Sequence, residues 1–406
     1  MVTRFSVLLG DARFRRYWSA GSVSAGGDGV SSVAVPMAAA LLLRADPAQM
    51  GWLTALTWVP SVLFAIPAGN WVARHHRQPL APMISADLVR CAAIASIPVA
   101  WSTGALSLTL LSVVTLVVAT ASVFFSVADA AVFPAIVAEG RVVAGQSLVY
   151  GARTVANTAG SGAGGLLVSL VAAPLVAAAD ALSYLWSAVM LARVGRPRSV
   201  PVGPPPSRIS AAGMRFLLAT PPLRAALGVT TTANFFNLMF HALLVLFLTR
   251  TLRLSPAVTG LVFAAEAAGA FLGSAFTPAI ADRLGRLRSL MVGSLAMGVP
   301  LLVFPLSHGS PAVTVTVLVA GSFGSGIGRA LQDISVAAIF MTTVPEPMRS
   351  PVRGAYQAIS HGVRPLGALL GGFAGQWLGL RAAVAVAVAG GLLAFLWTLT
   401  SSRHKT

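Results

Sequence analysis

Twelve apolar runs recur along this chain of 406 residues, each near the roughly 20 residues that an α-helix needs to cross the hydrocarbon core of a bilayer. In the first half they are drawn at Tyr17–Leu43, Met50–Val72, Leu80–Trp101, Leu106–Ala131, Ser147–Ala172 and Pro174–Ala192. In the second half they fall at Ala225–Thr249, Ala257–Ile280, Ser289–Leu306, Ala312–Phe340, Gly354–Trp377 and Ala382–Leu399. Charged residues make up only 10% of the chain, against roughly 25% in soluble proteins. Its 39 glycines and 25 prolines would weaken the helices of a soluble bundle. Membrane helices tolerate both, and small residues let them approach closely. The expectation is an all-α, polytopic membrane protein.

The stretch from Arg193 to Arg224 interrupts this pattern: it is polar, proline-rich and carries six arginines. The run Pro204-Pro205-Pro206 cannot continue a helix, because proline lacks the N–H and clashes with the preceding turn. The chain therefore divides into a bundle of six helices over 1–192, a linker over 193–224 and a second six-helix bundle over 225–406. Within the linker, Ile209 to Leu218 is short and amphipathic, suited to lying along a membrane surface.

The net charge of +17 raises nucleic acid as a partner, but no basic stripe interleaved with aromatics occurs. The charges sit instead in the breaks between apolar runs. With both termini and the linker in the cytoplasm, 20 basic residues face that side and 4 face the other, the remaining 4 lying within helices. Positive charge accumulates on the cytoplasmic side of membrane proteins, which sets the expected orientation: a multi-pass protein of a bacterial-type cytoplasmic (inner) membrane. Cys91 stands alone in an apolar run, so no disulfide or cysteine-based metal site is expected within the chain. The N-terminus lacks a short apolar core with a small-residue cleavage site, and its first run reads as a retained helix.

The two halves echo each other. The second run ends Gly69-Asn-Trp-Val-Ala-Arg74-His-His-Arg77, and the eighth ends Pro278-Ala-Ile-Ala-Asp282-Arg283-Leu-Gly285-Arg286. Six helices plus six around a basic linker is the layout of a two-bundle transporter. These basic turns resemble the loop signature of the major facilitator superfamily, roughly Gly-x-x-x-Asp-Arg-x-Gly-Arg-Arg. The second copy keeps Asp282, Arg283, Gly285 and Arg286; the first has Ala73 where the signature has its Asp. Gly27-Asp28-Gly29, Asp180-Ala-Leu-Ser183-Tyr184, and Val344-Pro345-Glu346 leading to Pro365-Leu366-Gly367-Ala368 are similar to the branch holding the enterobactin exporter and macrolide-efflux proteins. The resemblance implies the major facilitator fold, two pseudo-symmetric six-helix bundles, alternating access, and proton-coupled export of an amphipathic small molecule.

Ionisable groups inside the membrane are costly and mark functional candidates. Asp28 lies near the middle of the first run, with Ser24 and Ser31 on the same face at helical spacing. Desolvation works against a charged carboxylate there, and a carboxyl that exchanges a proton is what coupling needs, so Asp28 is the first proton-coupling candidate. Its alternative is a structural carboxyl, hydrogen-bonded to its own helix or to a neighbour. Glu266 in the eighth run, beside Gly269 and Gly273, reads as the second proton-coupling candidate or a cation-recognition charge, against a packed, protonated glutamate.

Thr230, Asn234, Asn237 and His241 form one polar stripe on the seventh run. They read either as substrate contacts, since in the family this helix lines the central cavity, or as interhelical hydrogen bonds. Arg364 in the eleventh run is a candidate for meeting an anionic group. Asp87–Arg90 at i, i+3 and Arg329–Asp333 at i, i+4 have the spacing to pair within a helix. With Asp129 and Arg153, these residues suggest a salt-bridge gate or, equally, static neutralising pairs. Asp282 fits a latch that docks on a helix N-terminus, with Arg283 and Arg286 facing headgroups; Arg74 and Arg77 are further gate or latch candidates. Gly160-Ser-Gly-Ala-Gly164-Gly165 is explained by close helix packing, and resembles a glycine-rich antiporter motif with Ser161 in place of its proline.

No catalytic constellation or cofactor loop is found, and no Gly-x-x-x-x-Gly-Lys-Ser/Thr stretch for nucleotide hydrolysis occurs. The expectation is a non-enzymatic transporter without cofactor or bound metal, acting as a monomer on a small-molecule substrate and protons in the lipid bilayer. Open alternatives are a dedicated exporter of a siderophore or other endogenous metabolite, an uncoupled facilitator, and a membrane sensor or assembly subunit that moves nothing.

Overall fold

The structure, a computed structural model, describes residues 9–74, 78, 80–137, 141–195 and 211–402. Among these residues every regular element is helical, with no strand. In the first half the helices are α1 (Ala12–Met37), α2 (Pro47–Arg74), α3 (Ala81–Ser102), α4 (Leu108–Ile136), α5 (Val142–Leu170) and α6 (Ala173–Ala192). A short α7 (Ala211–Ala219) precedes α8 (Pro221–Leu246), α9 (Pro256–Leu284), α10 (Arg286–Gly298), α11 (Val303–Leu306) and α12 (Pro311–Thr343). The chain ends in α13 (Arg349–Gly362), α14 (Arg364–Leu378), α15 (Leu380–Leu392) and α16 (Leu396–Ser402).

All twelve apolar runs are helical. Among the described residues, nine helices are long and apolar enough to cross a membrane. The other three runs fall on α2, on α5, and on α13 with α14. Large apolar side chains are strongly exposed, among them Leu63 (61%), Leu170 (73%), Leu306 (68%) and Trp377 (80%). Apolar surface this extensive is untenable in water and suits a hydrocarbon surround.

The run Gly354–Trp377 is not one helix. It breaks at Val363, because Pro365 near the start of α14 has no N–H with which to continue the hydrogen-bond ladder. Pro36, Pro60, Pro67, Pro98 and Pro134, in contrast, sit inside continuous helices, as neighbouring groups in a membrane bundle permit.

The two halves share a further repeat. After α1 the chain makes a π-helical turn (Ala38–Leu42), and after α8 another (Phe247–Thr251). Each is followed by an arginine in the left-handed region, Arg44 (φ 51°) and Arg253 (φ 54°), a conformation costly for a non-glycine residue. The next helix then starts with a side-chain cap and a proline. Asp46 accepts from the Gln49 N–H at 2.8 Å while the Gln49 side chain accepts from the Asp46 N–H at 2.9 Å, a reciprocal capping box. Ser255 accepts from the Val258 N–H at 3.4 Å. The same offset relates these arginines and the basic turns after α2 and α9 (253 − 44 = 283 − 74 = 209).

By internal packing the chain forms two compact units, Met1–Arg44 with Val59–Pro205, and Ala45–Trp58 with Pro206–Thr406. The segment Ala45–Trp58 groups with the second unit because the start of α2 is lined by small residues. Gly51 lies against the backbone of Ala368 and Gly372 in α14, and Ala55 packs with Leu238, Ala242 and Ala368. In the first unit, Gly160 on α5 meets the carbonyl of Gly26, and Gly164 lies 2.9 Å from the Val30 carbonyl oxygen as measured from a built Cβ. Close helix packing therefore accounts for the glycine-rich stretch of α5. The amphipathic linker segment is α7, with Gly213 and Leu217 buried and Gly213 seated against Pro351 of α13.

Candidate functional site

Each unit encloses its own polar cluster. In the first, Asp28 is in the middle of α1, Asp87 and Arg90 are one turn apart on α3, and Asp180, Ser183, Tyr184 and Ser187 share a face of α6. The Tyr184 hydroxyl donates to Asp28 Oδ1 at 2.5 Å. Arg90 Nη2 pairs with Asp87 Oδ1. Its guanidinium carbon lies 4.4 Å from the centroids of both Phe125 and Tyr184, so the cation is held between two aromatic faces. Asp28 and Asp180 both interact electrostatically with Arg90 and with each other. Arg90 therefore has one paired carboxylate, Asp87, and interacts through space with two more.

Most of this cluster is buried, with Asp87, Asp180 and Ser187 0% exposed and Arg90 3%, while Asp28 is half-buried. Ser183 Oγ donates within its own helix, to the Asp180 carbonyl at 2.8 Å, and reaches Asp180 Oδ1 at 3.0 Å. The hydroxyl of Ser31 stands beside Asp180, and that of Ser187 beside Asp87. Yet Ser31 Oγ, Ser187 Oγ, Asp87 Oδ2 and Asp180 Oδ2 are buried with no formed hydrogen bond. Such groups are expensive unless they are satisfied, and the adjacent hydroxyls of Ser31 and Ser187 are the donors at hand. Ser24, the third residue of the Asp28 face, is buried at 4% exposure.

A second ion pair stands nearby. Arg153 on α5 holds Asp129 on α4 through two contacts, Nη1 to Oδ2 at 2.8 Å and Nη2 to Oδ1 at 3.1 Å. The Tyr17 hydroxyl also donates to Asp129. Gly21 leaves room for the guanidinium, since a Cβ there would lie 2.5 Å from Arg153 Nε.

In the second unit, every residue of the α8 stripe is engaged by another helix. Thr230 Oγ1 accepts from the Tyr356 hydroxyl at 2.6 Å. Asn234 donates to the Ser360 carbonyl at 2.8 Å and accepts from Arg364 Nη2 at 3.1 Å. Asn237 accepts from Arg329 Nη2 at 2.7 Å. His241 Nε2 lies 3.5 Å from Glu266 Oε2, and Arg329 Nη2 lies 3.4 Å from Glu266 Oε1. The stripe is a ladder of interhelical bonds, and Glu266 is a clamped carboxyl between an imidazole and a guanidinium. Thr230, Asn234, Arg329, Asp333, Tyr356 and Arg364 also help line a cavity of about 240 Å³.

Three sequence expectations need correction. Arg329 does not pair with Asp333; its Nη2 reaches Asn237 at 2.7 Å and Glu266 at 3.4 Å on other helices, and no ion pair to Asp333 forms among the described residues. Helical spacing puts two residues on one face but leaves a long side chain free to take an interhelical partner. Asp282 does not dock on a helix N-terminus: it is exposed in the last turn of α9 and makes no hydrogen bond or ion pair among the described residues. That turn carries the negative end of its own helix dipole, which favours Arg283 rather than an acid. The residues read as a salt-bridge gate act within units: Asp87–Arg90 and Asp129–Arg153 are internal to the first, and Arg329 pairs internally in the second. Arg286 donates to Thr342 at the end of α12, and Arg283 is exposed. Arg77 and the side chain of Arg74 lie outside the described residues.

Sequence reasoning placed Asp28 and Arg90 but not their meeting. Asp180, Ser183 and Tyr184 were noticed as a motif without a role, although their spacing with Ser187 already puts them on one helix face. Tyr17, Trp58 and His361 carried no signal of their own. Among the described residues no group of three or more metal-ligating side chains forms.

Comparison with known proteins places this geometry in a fold. Residues 226–406 match the model of the Major Facilitator Superfamily. No curated protein matches the sequence. Among solved structures, the chain is similar to a bacterial homologue of the iron transporter ferroportin (TM-score 0.72, 18% identity, 96% of this chain and 98% of that one). It is also similar to a variant of the nucleoside transporter NupG (TM-score 0.75, 13% identity, 96% and 100%). A third is a bacterial homologue of the human lysosomal transporter Spinster (TM-score 0.69, 16% identity, 98% and 97%). The chain has the major facilitator fold along essentially its whole length, an all-α membrane architecture.

Proposed function

We propose that this protein is a secondary active transporter that exports an amphipathic small molecule in exchange for protons. The fold shared with transporters of iron, nucleosides and other solutes supports transport as the activity, with no enzymatic step. The observation that supports proton coupling is the buried cluster in the first unit, where Arg90 pairs with Asp87 and interacts electrostatically with Asp28 and Asp180. On this reading one of these carboxyls carries the exchanged proton. Asp28 is the carboxyl to watch, because Tyr184 on α6 contacts it directly and a change at one is felt at the other. Glu266 is already held by His241 and Arg329 and serves to lock α9 to α8 and α12. The 20-to-4 distribution of basic residues supports an inner-membrane protein with both termini in the cytoplasm.

Proteoliposomes with an imposed pH gradient test this reading. Macrolides, cationic dyes and siderophores are added while internal pH and internal substrate are followed together. Substrate accumulation that follows the gradient and collapses with a protonophore is expected. Movement that ignores the gradient would make the protein a facilitator, and no movement across the panel would contradict transport of these classes.

A further inference from the structure

The geometry points to an oxyanion-binding subsite in the second unit, built around Arg364, that takes the carboxylate or phosphate of a small ligand. This inference rests on the transport reading only for its purpose; binding itself is measured without transport.

Arg364 begins α14, just after the break at Val363. Asn234 accepts one N–H at 3.1 Å, and the guanidinium carbon lies 4.2 Å from the centroid of the Trp58 ring. Asn234 is itself fixed by its bond to the Ser360 carbonyl. The guanidinium is therefore oriented by a side-chain amide and an aromatic face rather than by an acid. Its Nε is buried with no hydrogen-bond partner, and among the described residues no carboxylate lies within ion-pair distance of it. A guanidinium offers five donors, and its fork matches a carboxylate or phosphate. Every other arginine near a polar cluster in the two units already has its acid: Arg90 has Asp87, Arg153 has Asp129 and Arg329 has Glu266.

Arg364 opens onto the cavity of about 240 Å³, with Arg329, Tyr356, Ser360 and His361 around it. A cavity of this size is below the roughly 300–1,000 Å³ that encloses a drug-sized molecule, so it fits one polar group with a short apolar body. The single acid on its wall is Asp333, which interacts electrostatically with both guanidinium groups without pairing with either. An anion entering the cavity takes donors from Arg364 and is opposed by Asp333.

The test is calorimetric titration of the full-length protein in phosphatidylcholine nanodiscs with 4-phenylbutyrate, phenyl phosphate and 4-phenylbutylamine, which share an aromatic body. Binding of either anion is expected, weakened at least tenfold in Arg364→Gln and strengthened in Asp333→Asn. Arg364→Lys, which keeps the charge but loses the fork, is expected to fall between. Thermal unfolding of each variant confirms that it is folded. Adding phosphatidylglycerol to the nanodiscs separates the sources: competition assigns the anion to a lipid headgroup, and no competition to a dissolved solute, both consistent with the subsite. Tighter binding of the amine, no binding of either anion, or anion binding unchanged in folded Arg364→Gln would each overturn it. Because no flux is read, a failure here is distinguishable from a failure of transport.

Discussion

Gly27 decides how near α6 can come to the flank of Asp28, since a Cβ at this position would overlap both Ser183 Oγ and Asp180 Oδ1. Its neighbour Gly26 has no such duty; a Cβ there would meet only Ala156, at 3.7 and 3.9 Å, which is ordinary contact. Gly27→Ala is therefore expected to destabilise the protein by about 1–3 kcal/mol, the usual range for overpacking a filled interior. Gly26→Ala should leave the thermal midpoint of the purified protein nearly unchanged. Equal midpoints for the two variants would mean that the Asp180–Ser183 face is not held as described. At this scale the sequence was informative about faces and silent about partners. The spacing of Thr230, Asn234, Asn237 and His241 revealed one stripe, but their partners lie on α9, α12 and α13 or at the head of α14, far away in sequence. The i, i+4 spacing of Arg329 and Asp333 suggested a pair, and tertiary partners overrode it.

The helices themselves were legible because a membrane demands long apolar runs, and all twelve runs are helical. What escaped notice is how the first helix of each half ends and the next begins. A π turn is set by hydrogen bonds rather than by composition, and a left-handed arginine has no sequence signature comparable to glycine. The caps that follow were available to read: Asp46 before Pro47 and Ser255 before Pro256 are helix-start signals. The two differ in quality, because Asp46 and Gln49 bond reciprocally at 2.8 and 2.9 Å whereas Ser255 reaches Val258 at 3.4 Å. Asp46→Ala should therefore cost about 1 kcal/mol and lower the thermal midpoint more than Ser255→Ala does. The reverse order would show that the cap of α9, not that of α2, anchors the repeated turn.

Across the whole molecule, the charged residues left inside the membrane are sorted unequally between the units. The first buries Asp87 and Asp180 beside the Asp87–Arg90 pair and holds Asp129 with Arg153. The second locks its glutamate between an imidazole and a guanidinium and leaves an arginine facing a cavity. In the proposed reading, protons are handled by the first unit and ligand by the second. The most direct test compares wild type and Asp28→Asn in proteoliposomes loaded with a transported substrate, reading both exchange at equal pH and accumulation under a pH gradient. The account predicts that Asp28→Asn keeps substrate exchange, because the cavity of the second unit is untouched, and loses gradient-driven accumulation. Accumulation in Asp28→Asn equal to wild type would contradict it.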